Sequence, residues 1–526
     1  MLLQKWADIG EPMIVEKSVN GATLECSERE NKAIVVEGQL DTSCIRVVTL
    51  TAVYLLLYPF YLSPLRTLLG PPLGPNFLIG SFGDILNGEA GIPQREWVKK
   101  YGTAIRVVGP LGMERVIFSG AEALQKVLVA DWISNPRPGF MRETLGLVTG
   151  HGLLTVTGDC HKQMRKAMNP AFSLHNLTAQ TDMYYDAIDG LLEILNSRVG
   201  QSQVGQGSYE WITLDIICLT GLRYKADSLY NPRNELAEAY EELISLQTGR
   251  NLARFIAILS IPGMSSLLDS EFAWRHRSYV GFSSFFHPAK IISPYITHYT
   301  MHRIKTVSAS ILREKMKEAE YLESNEDTAA KKDIMSLLVL VPYAMSDTEM
   351  MDQVLTFLGA GHETTASGLA WTLWLLAKDP VSQQRLREEV TPYLEVTCLV
   401  YEYPPYWRLE DKADHHVFSQ ESLRLYPPVP MTFRQAGTTD YVDGVLVPKR
   451  TLYYIPIRVV NTLKDVWGED AEFNPSRWLP ESNFGAVPST LTFLAGPHAC
   501  IGKTMAIIEM KAVIAALIAN FDFALL

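Results

Sequence analysis

The chain has 526 residues, of which 47% are hydrophobic and 20% charged, and its formal net charge at pH 7 is -11. This composition is that of a globular protein with a sizeable core, and no fixed-period repeat is present. The negative charge, without a basic stripe or a nucleic-acid-binding motif, argues against nucleic acid as a partner. Six cysteines without framework spacing favour a reducing compartment.

The N-terminal part of the chain divides into three segments of different composition. Residues 1–46 are polar and mildly acidic without periodicity, so we predict a disordered extension. Residues 47–62, VVTLTAVYLLLYPFYL, carry no charge and predict a membrane anchor, with a buried helix as the alternative. Residues 63–75, rich in proline and glycine, predict a stiff hinge before a globular domain at residues 76–526.

Helical periods dominate after the hinge. Short apolar runs at residues 104–108, 115–119 and 453–459 predict strands. The chain is therefore predicted to be mainly α-helical with a small β region.

One predicted helix carries His161 and Arg165, which lie four residues apart and share one face. Lys162 and Lys166 flank this pair, so from these residues alone a solvated basic face is the simpler interpretation. Together with Lys503, the two lysines are also candidates for a basic patch that binds an acidic electron donor.

A long apolar helix is predicted to begin at the capping box formed by Ser346 and Glu349. Its middle contains GAGHETT at residues 359–365. Each glycine in a helix costs up to about 1 kcal/mol relative to alanine, so this site favours either space or a distorted hydrogen-bond ladder. Glu363 followed by Thr364 suggests a proton relay beside a buried ligand. A glycine notch that only serves helix packing is the alternative.

A single cysteine, Cys500, lies in the glycine-rich decapeptide FLAGPHACIG at residues 493–502, directly before an apolar helical segment at residues 503–517. The helix start directs backbone N–H groups at the sulfur, which favours a thiolate. Zinc requires three or four ligands at short spacing, and the chain has no C-x-x-C motif. A lone thiolate in such a loop suits a haem iron. A buried structural cysteine is the alternative.

The loop at residues 493–502 resembles the cysteine-ligand loop of the cytochrome P-450 family, F-x-x-G-x-R-x-C-x-G, with His498 in place of the arginine. Residues 359–365 resemble the A-G-x-[DE]-T motif of that family. Glu421 and Arg424 match its E-x-x-R motif, which as a lone i,i+3 pair would be a weak signal. The motifs follow one another in the order of the family, and the resemblance extends from the hinge to the end of the chain.

The resemblance implies one haem b whose iron is ligated by the thiolate of Cys500. It implies that Glu363 and Thr364 are catalytic and deliver protons to O2. Four residues are implied to bind the cofactor through its propionates: His161, Arg165, Arg434 and His498.

The resemblance also implies a buried structural network. Arg477, in the segment FNPSRW at residues 473–478, is implied to join Glu421 and Arg424. Losing one member of such a network leaves a buried charge unpaired, at a cost of about 3–5 kcal/mol.

The implied fold is the family's mainly α triangular prism of helices with a small β region, preceded by a single N-terminal membrane anchor. The implied activity is monooxygenation of a hydrophobic small molecule, with electrons from NADPH through a separate NADPH–cytochrome P-450 reductase or through cytochrome b5. The implied location is the endoplasmic reticulum membrane, crossed once, with the catalytic domain in the cytosol. The distribution of lysine and arginine around the anchor favours the opposite orientation. The sequence as a whole resembles fungal microsomal members of the family that act in secondary metabolism.

Two other functions remain open from the sequence. One is a haem-thiolate isomerase or dehydratase that needs no external electrons, and the Glu363–Thr364 pair argues against it. The other is a non-catalytic haem-binding membrane protein. Relatives typically continue for some tens of residues beyond the equivalent of Leu526, and this apparently short C-terminus keeps the second alternative open.

Overall fold

A computed structural model of the chain describes residues 57–74, 80–89, 91–109, 112–197, 207–246, 292–325, 333–339, 345–398, 413–468, 472–479 and 490–525. The described chain is mainly helical with a small β region, which confirms the predicted fold class in this coarse form. The extension predicted at residues 1–46 and most of the predicted anchor, residues 47–56, lie outside the described residues. Among the helices that the structure does describe, none combines the length and the apolar character needed to cross a bilayer.

The helices are numbered here in chain order. They are α1 (Phe82–Asn87), α2 (Ile92–Tyr101), α3 (Ala121–Gln125), α4 (Gly139–Thr149), α5 (Gly158–Met168), α6 (Leu174–Ala179), α7 (Thr181–Ser197), α8 (Gly207–Leu222), α9 (Glu235–Leu246), α10 (Ile292–Asn325), α11 (Ile334–Val339), α12 (Asp347–Lys378), α13 (Pro380–Cys398), α14 (Ala413–Leu425), α15 (Ile457–Val460), α16 (Lys464–Trp467) and α17 (Lys503–Asn520). Short π- or 3-10-helical turns lie at Tyr58–Leu62, Pro64–Thr67, Lys126–Ala130, Pro475–Trp478 and Gly496–His498.

Helix α12 passes through the main hydrophobic core, and its start forms as the sequence predicts. The N–H of Ser346 donates to Glu349 Oε2 at 2.8 Å, and the N–H of Glu349 donates to Ser346 Oγ at 3.3 Å. Two of the N–H groups that lack helical partners at a helix start are thereby paired. Buried side chains from Met350 to Leu376 pack α12 against α4, α8, α14 and α17. The helix is thus a rigid support for the residues in its middle.

The small sheet consists of four strands in the order β1 (Ala104–Val108), β2 (Glu114–Phe118), β6 (Leu452–Ile455) and β3 (Thr432–Gln435). A separate hairpin joins β4 (Asp440–Val442) to β5 (Val445–Val447). Strand β6 stops at Ile455, short of the predicted residue 459, because Pro456 follows and lacks an N–H for the ladder. The register pairs Arg434 of β3 with Tyr453 of β6, and the side chain of Arg434 is buried.

Residues 63–74 of the predicted hinge are described and lie against the sheet. Leu65 is buried in the cluster that packs under β2 and β6. The N–H of Arg106 in β1 donates to the carbonyl oxygen of Leu69 at 3.0 Å. A Cβ atom at Gly70 would lie only 1.9 Å from the carbonyl oxygen of Arg106, so the approach requires glycine. This part of the segment is therefore attached to the domain.

Candidate functional site

The loop that carries Cys500 has a backbone conformation that requires glycine at position 496. Gly496 has a φ of +70°, and a Cβ there would lie 2.4 Å from the carbonyl oxygen of Leu128. The N–H of Cys500 donates to the carbonyl oxygen of Phe493 at 2.8 Å and closes the loop. Helix α17 begins three residues later, at Lys503. The sequence prediction of a tight loop that leads directly into a helix is confirmed.

Cys500 is exposed, although enough protein lies around its sulfur to desolvate it. Burial raises the pKa of the Cys500 thiol, and the N–H of Gly502, the charges of Arg165 and Lys503 and the N–H of Lys503 oppose this only in part. The start of helix α17 therefore lowers the pKa of the thiol, as predicted, but by less than desolvation raises it. A bound cation such as iron would favour the thiolate at this position.

Two buried guanidinium groups lie near each other beside the cysteine loop. Burial lowers the pKa of Arg137 to about 10, while burial and the charge of Arg137 together lower that of Arg434 to about 9. Arg434 Nη1 donates to the carbonyl oxygen of Phe433 at 2.8 Å, whereas its Nη2 has no partner. Within the described part of the chain, neither arginine pairs with a carboxylate. Two such cations together favour an anionic ligand.

His161 of α5 and His498 of the cysteine loop are in direct contact, with ring centroids 4.0 Å apart. Trp132 packs edge-on against both, at centroid distances of 5.7 and 5.2 Å. Both histidines are buried, and His161 Nδ1 and the two ring nitrogens of His498 have no hydrogen-bond partner among the residues that the structure describes. Burial and then the charge of Arg137 lower the pKa of His161 to about 4 and that of His498 to about 2. Both imidazoles are therefore neutral at pH 7.

Arg165 links helix α5 to the cysteine loop. Its Nη1 donates to the carbonyl oxygen of Ala499, the residue before Cys500, and its Nε donates to Asn169 Oδ1 at 3.1 Å. The resemblance implies a propionate contact for this residue. The structure shows in addition that Arg165 supports the backbone of the loop.

The unpaired polar groups around Cys500 fit a haem b whose two propionates lie beside them. Arg434 Nη2, His161 Nδ1 and both ring nitrogens of His498 are buried donors or acceptors without partners among the described residues. A buried polar group without a partner costs about 1–3 kcal/mol, and more when it is charged. Bound carboxylates would satisfy these groups and offset the repulsion between Arg137 and Arg434. The residues present therefore match the chemistry of the cofactor that the resemblance implies.

Sequence reasoning missed Arg137 and Trp132 at this site. The only local signal was an arginine between two prolines, Pro136 and Pro138, which fix the backbone on both sides. Neither residue belongs to a motif considered above, and their proximity to Arg434 and the two histidines arises from packing between distant segments.

We expect Arg137→Ala to release haem about ten-fold faster than the unchanged protein, since a lost hydrogen bond to a charged group corresponds to about 1.5–3 kcal/mol. The measurement is the rate of haem transfer to an excess of a haem-scavenging protein. Arg142→Ala is the control, because Arg142 is exposed on α4 and its Nε binds only the carbonyl oxygen of Thr155, at 3.0 Å. Equal rates for the two variants would contradict a role for Arg137 at the propionates.

The glycines in the middle of α12 permit close packing of neighbouring helices. A Cβ at Gly359 would lie 3.1 Å from Thr149 Cγ2 of α4, and one at Gly361 would lie 2.7 Å from Ile217 Cγ1 of α8. Helix α12 is regular from Asp347 to Lys378, so a distorted hydrogen-bond ladder, one of the two options from the sequence, is absent. The glycine notch thus serves packing and also fixes the position of Glu363 and Thr364.

Thr364 and Glu363 lie side by side on α12 with different surroundings. Thr364 Oγ1 donates to the carbonyl oxygen of Ala360 at 2.7 Å, which leaves the lone pairs of the hydroxyl free to accept. Burial and then the nearby carboxylate of Glu210 raise the pKa of Glu363. The next threonine, Thr365, is buried, about 100° further around the helix. Glu363 and Thr364 can therefore hold and exchange a proton.

Glu421, Arg424 and Arg477 form one fully buried network. Glu421 Oε1 accepts from Arg424 Nη2 at 2.7 Å and from Arg477 Nε at 3.0 Å, while Oε2 accepts from Arg424 Nε at 2.8 Å. Trp478 Nε1 donates to Oε2 at 2.8 Å, and the N–H of Asn474 donates to Oε1 at 3.0 Å. The last two donors were missed from the sequence because they depend on how the segment Pro475–Trp478 packs against α14.

A chain of hydrogen bonds connects this network to the cysteine loop. Arg424 Nη1 donates to the carbonyl oxygen of Asn461 at 2.9 Å. The side chain of Asn461 in turn binds the N–H of Leu491 at 2.8 Å and Thr492 Oγ1 at 2.9 Å, just before the loop begins. Thr492 Oγ1 also donates to the carbonyl oxygen of Leu423 on α14, at 2.8 Å. The network thereby helps to fix the strand of chain that leads to Cys500.

A basic hollow of about 310 Å³ lies beside the cysteine loop. It is lined by His161, Lys162, Arg165, Lys166, Asn169, Gly496 and Pro497. Two of the three lysines of the predicted patch, Lys162 and Lys166, are therefore beside the loop. Lys503, the third, lies with its Nζ 5.8 Å from the centre of the Phe493 ring and does not line the hollow.

Comparison with known proteins finds several that are similar to this chain in sequence. A sequence profile described as Cytochrome P-450 matches residues 71–526. Cytochrome P-450 monooxygenase 205 of Postia placenta is 32% identical over 499 residues, which cover 88% of this chain and 87% of that protein. Cytochrome P-450 monooxygenase 128 of the same fungus is 30% identical over 507 residues, covering 89% and 88%. Cytochrome P-450 monooxygenase sphH of Aspergillus fumigatus is 29% identical over 497 residues, covering 90% and 85%.

Proposed function

The chain belongs to the cytochrome P-450 family, and on that premise we propose that it is a monooxygenase that inserts one oxygen atom of O2 into a hydrophobic small molecule. The observation that carries this proposal is the group of unpaired buried donors around Cys500, because it matches the carboxylates of a haem beside a single thiol. Similarity to fungal monooxygenases supports the same activity.

Haem bound at Cys500 supplies the activation of O2 and the oxidation of a C–H bond. The protein's own contribution is the sulfur ligand, the donors for the propionates and a supply of protons. The hydroxyl of Thr364, oriented by the carbonyl oxygen of Ala360, can accept a hydrogen bond from water. Glu363 beside it is partly buried, and desolvation and then the charge of Glu210 raise its pKa, so its carboxyl group is suited to pass a proton to that water.

We infer that electrons come from NADPH through a separate NADPH–cytochrome P-450 reductase, with cytochrome b5 as a second donor. The basic hollow supports this inference, since Lys162 and Lys166 line it close to the cysteine loop. A basic surface in a chain with a net charge of -11 can orient an acidic electron donor towards this face.

We further propose that residues 47–62 anchor the protein once in the endoplasmic reticulum membrane, with the catalytic domain in the cytosol. The support is the uncharged apolar sequence of that segment, which as a helix covers about 24 Å, close to the ~30 Å hydrocarbon core of a bilayer. A membrane location suits a hydrophobic substrate. A fungal secondary-metabolite pathway is the setting that we propose for it.

The proposed activity is tested with Thr364→Ala. We expect this variant to keep its haem spectrum and its consumption of NADPH with added reductase, while hydrogen peroxide released per NADPH rises several-fold. The reason is that the hydroxyl no longer holds the water through which the second proton reaches O2. Product from a panel of hydrophobic aromatic ethers, measured in the same reactions, should fall correspondingly.

Thr365→Ala is the matched control, since it removes the same hydroxyl one residue further along α12 and should change the peroxide yield much less. An unchanged peroxide yield in Thr364→Ala would contradict the proton-relay role. Haem-loaded protein that oxidises no NADPH with any reductase would instead favour an isomerase or dehydratase.

A further inference from the structure

Helices α8, α9 and α12 meet at His362, next to Glu363. Thr213 Oγ1 of α8 donates to the carbonyl oxygen of His362 on α12 at 3.0 Å. The ring of Tyr240 on α9 packs edge-on against the His362 ring, with centroids 4.5 Å apart. At Gly361, α8 approaches α12 closely through Ile217. Helices α8 and α9 therefore both contact α12 at the residue next to Glu363.

Each of the two neighbouring helices brings a carboxylate to this junction. Glu210 lies almost one turn before Thr213 on α8, and Thr213 Oγ1 also lies 3.1 Å from the carbonyl oxygen of Glu210. Glu241 directly follows Tyr240 on α9 and is exposed, whereas Glu210 and Glu363 are partly buried. Exposure to solvent is therefore greater at Glu241 than at Glu210 and Glu363.

The pKa shifts of these carboxylates agree with their positions at the junction. Burial and then the charge of Glu210 raise the pKa of Glu363, and burial and then the charge of Glu241 raise the pKa of Glu210. Tyr240 also faces Glu363, and burial raises the pKa of its hydroxyl far enough to keep it protonated. Neighbouring carboxylates in such surroundings hold a proton between them more readily than isolated ones do.

Two unpaired polar atoms lie at the same junction. His362 Nε2 and the hydroxyl of Tyr240 are both buried and have no hydrogen-bond partner in the described part of the chain, while His362 Nδ1 lies 2.8 Å from the carbonyl oxygen of Leu358. Buried waters in proteins typically bind two to four such polar atoms. The interface between α9 and α12 is thus polar enough to hold water next to Glu363.

We propose that Glu210 is a positioning residue that reloads Glu363 with protons taken from solvent at Glu241. This inference rests on the proposed monooxygenase function, since it supplies the protons that O2 reduction consumes. For each proton that Glu363 passes inward past Thr364, the carboxylate of Glu363 receives one from Glu210. Glu210 then receives one from solvent by way of Glu241. No bond other than these O–H bonds changes, and no electron moves.

The first test reads the protonation of Glu363 directly. In the haem-loaded full chain, the C=O band of protonated Glu363 is identified as the infrared carboxyl band that disappears in Glu363→Gln. In Glu210→Gln we expect the midpoint of this band to move to lower pH, because the neighbouring negative charge that raises the pKa of Glu363 is gone. Glu210→Asp, which keeps the charge, should leave the midpoint close to that of the unchanged protein.

The second test measures NADPH oxidation with added reductase in H2O and in D2O. We expect Glu210→Gln to oxidise NADPH about ten-fold more slowly and with a larger solvent isotope effect, because reloading becomes limiting. Adding Glu210→Gln to Glu363→Gln should cause no further loss, since the two residues act in series. Glu238→Gln is the control, because this residue of α9 is exposed, pairs with Arg303 at 2.6 Å and is not among the charges that shift the pKa of Glu210 or Glu363.

The possible outcomes distinguish a failure of the proposed role of Glu210 from a failure of the proposed monooxygenase function. An unchanged infrared midpoint in Glu210→Gln would overturn the inference. So would a shifted midpoint combined with NADPH oxidation equal to that of Glu238→Gln. If the unchanged protein forms no oxygenated product, the proposed function fails, and the infrared midpoint still decides whether Glu210 and Glu363 share a proton.

Discussion

Cys500→Ala is expected to abolish the strongly red-shifted Soret band that carbon monoxide produces with dithionite-reduced, haem-loaded protein. That band reports thiolate ligation, and Cys500 is the only cysteine in a glycine-rich loop at a helix start. The polar groups that fit the propionates remain in this variant, so part of the haem should still bind, with another or no axial ligand. Product formation should fall below detection, because the thiolate promotes O–O cleavage.

Two other cysteines provide controls for this variant. Cys160 is exposed on α5 and Cys218 is buried in α8, and burial raises the pKa of the Cys218 thiol well above its ordinary value. Cys160→Ala and Cys218→Ala should each keep the thiolate spectrum. If Cys218→Ala alone removed the band, the assignment of Cys500 as the ligand would be wrong.

Glu421→Ala is expected to lower the free energy of unfolding by at least about 3–5 kcal/mol, the cost of leaving one buried charge without its partner. The cost is large because both Arg424 and Arg477 lose their carboxylate, and all three side chains are excluded from water. Haem content should fall as well, since Arg424 also fixes Asn461, which holds the chain just before the cysteine loop. Denaturant unfolding followed by tryptophan fluorescence, together with haem per protein, measures both effects.

The matched control is an ion pair of the same spacing on the surface. Glu96 and Lys99 are also three residues apart on a helix and lie 3.1 Å from each other, but their side chains are 63% and 67% exposed. Glu96→Ala should therefore change the free energy of unfolding by less than about 1 kcal/mol. Similar losses for the two variants would mean that the buried network contributes no more than a surface pair.

The buried network also illustrates what the spacing of residues can and cannot predict. The i,i+3 pair of Glu421 and Arg424 is visible in the sequence, yet the same spacing in Glu96 and Lys99 has a different consequence. Burial distinguishes the two pairs, and burial arises from the packing of α14 against segments far along the chain. Only the resemblance to a family suggested that Arg477 would join the first pair.

The sequence by itself determined the features that depend on near neighbours in the chain. The capping box at Ser346, the long apolar helix α12 and the glycine-bounded loop before α17 follow from local backbone geometry and side-chain periodicity, and the structure contains each of them. Their order along the chain was enough to indicate the family. The proposal that Cys500 ligates a haem was accessible in this way because its motif is contiguous.

Only the tertiary structure decided which distant groups meet and how strongly burial acts on them. It brings His161 into contact with His498, places Arg137 beside Arg434 and sets Glu210 behind Glu363. It also adds burial, which raises the pKa of the Cys500 thiol against the effect of the helix start. The physical reason is that burial and Coulomb interactions depend on distance in space, which the spacing of residues along the chain does not specify.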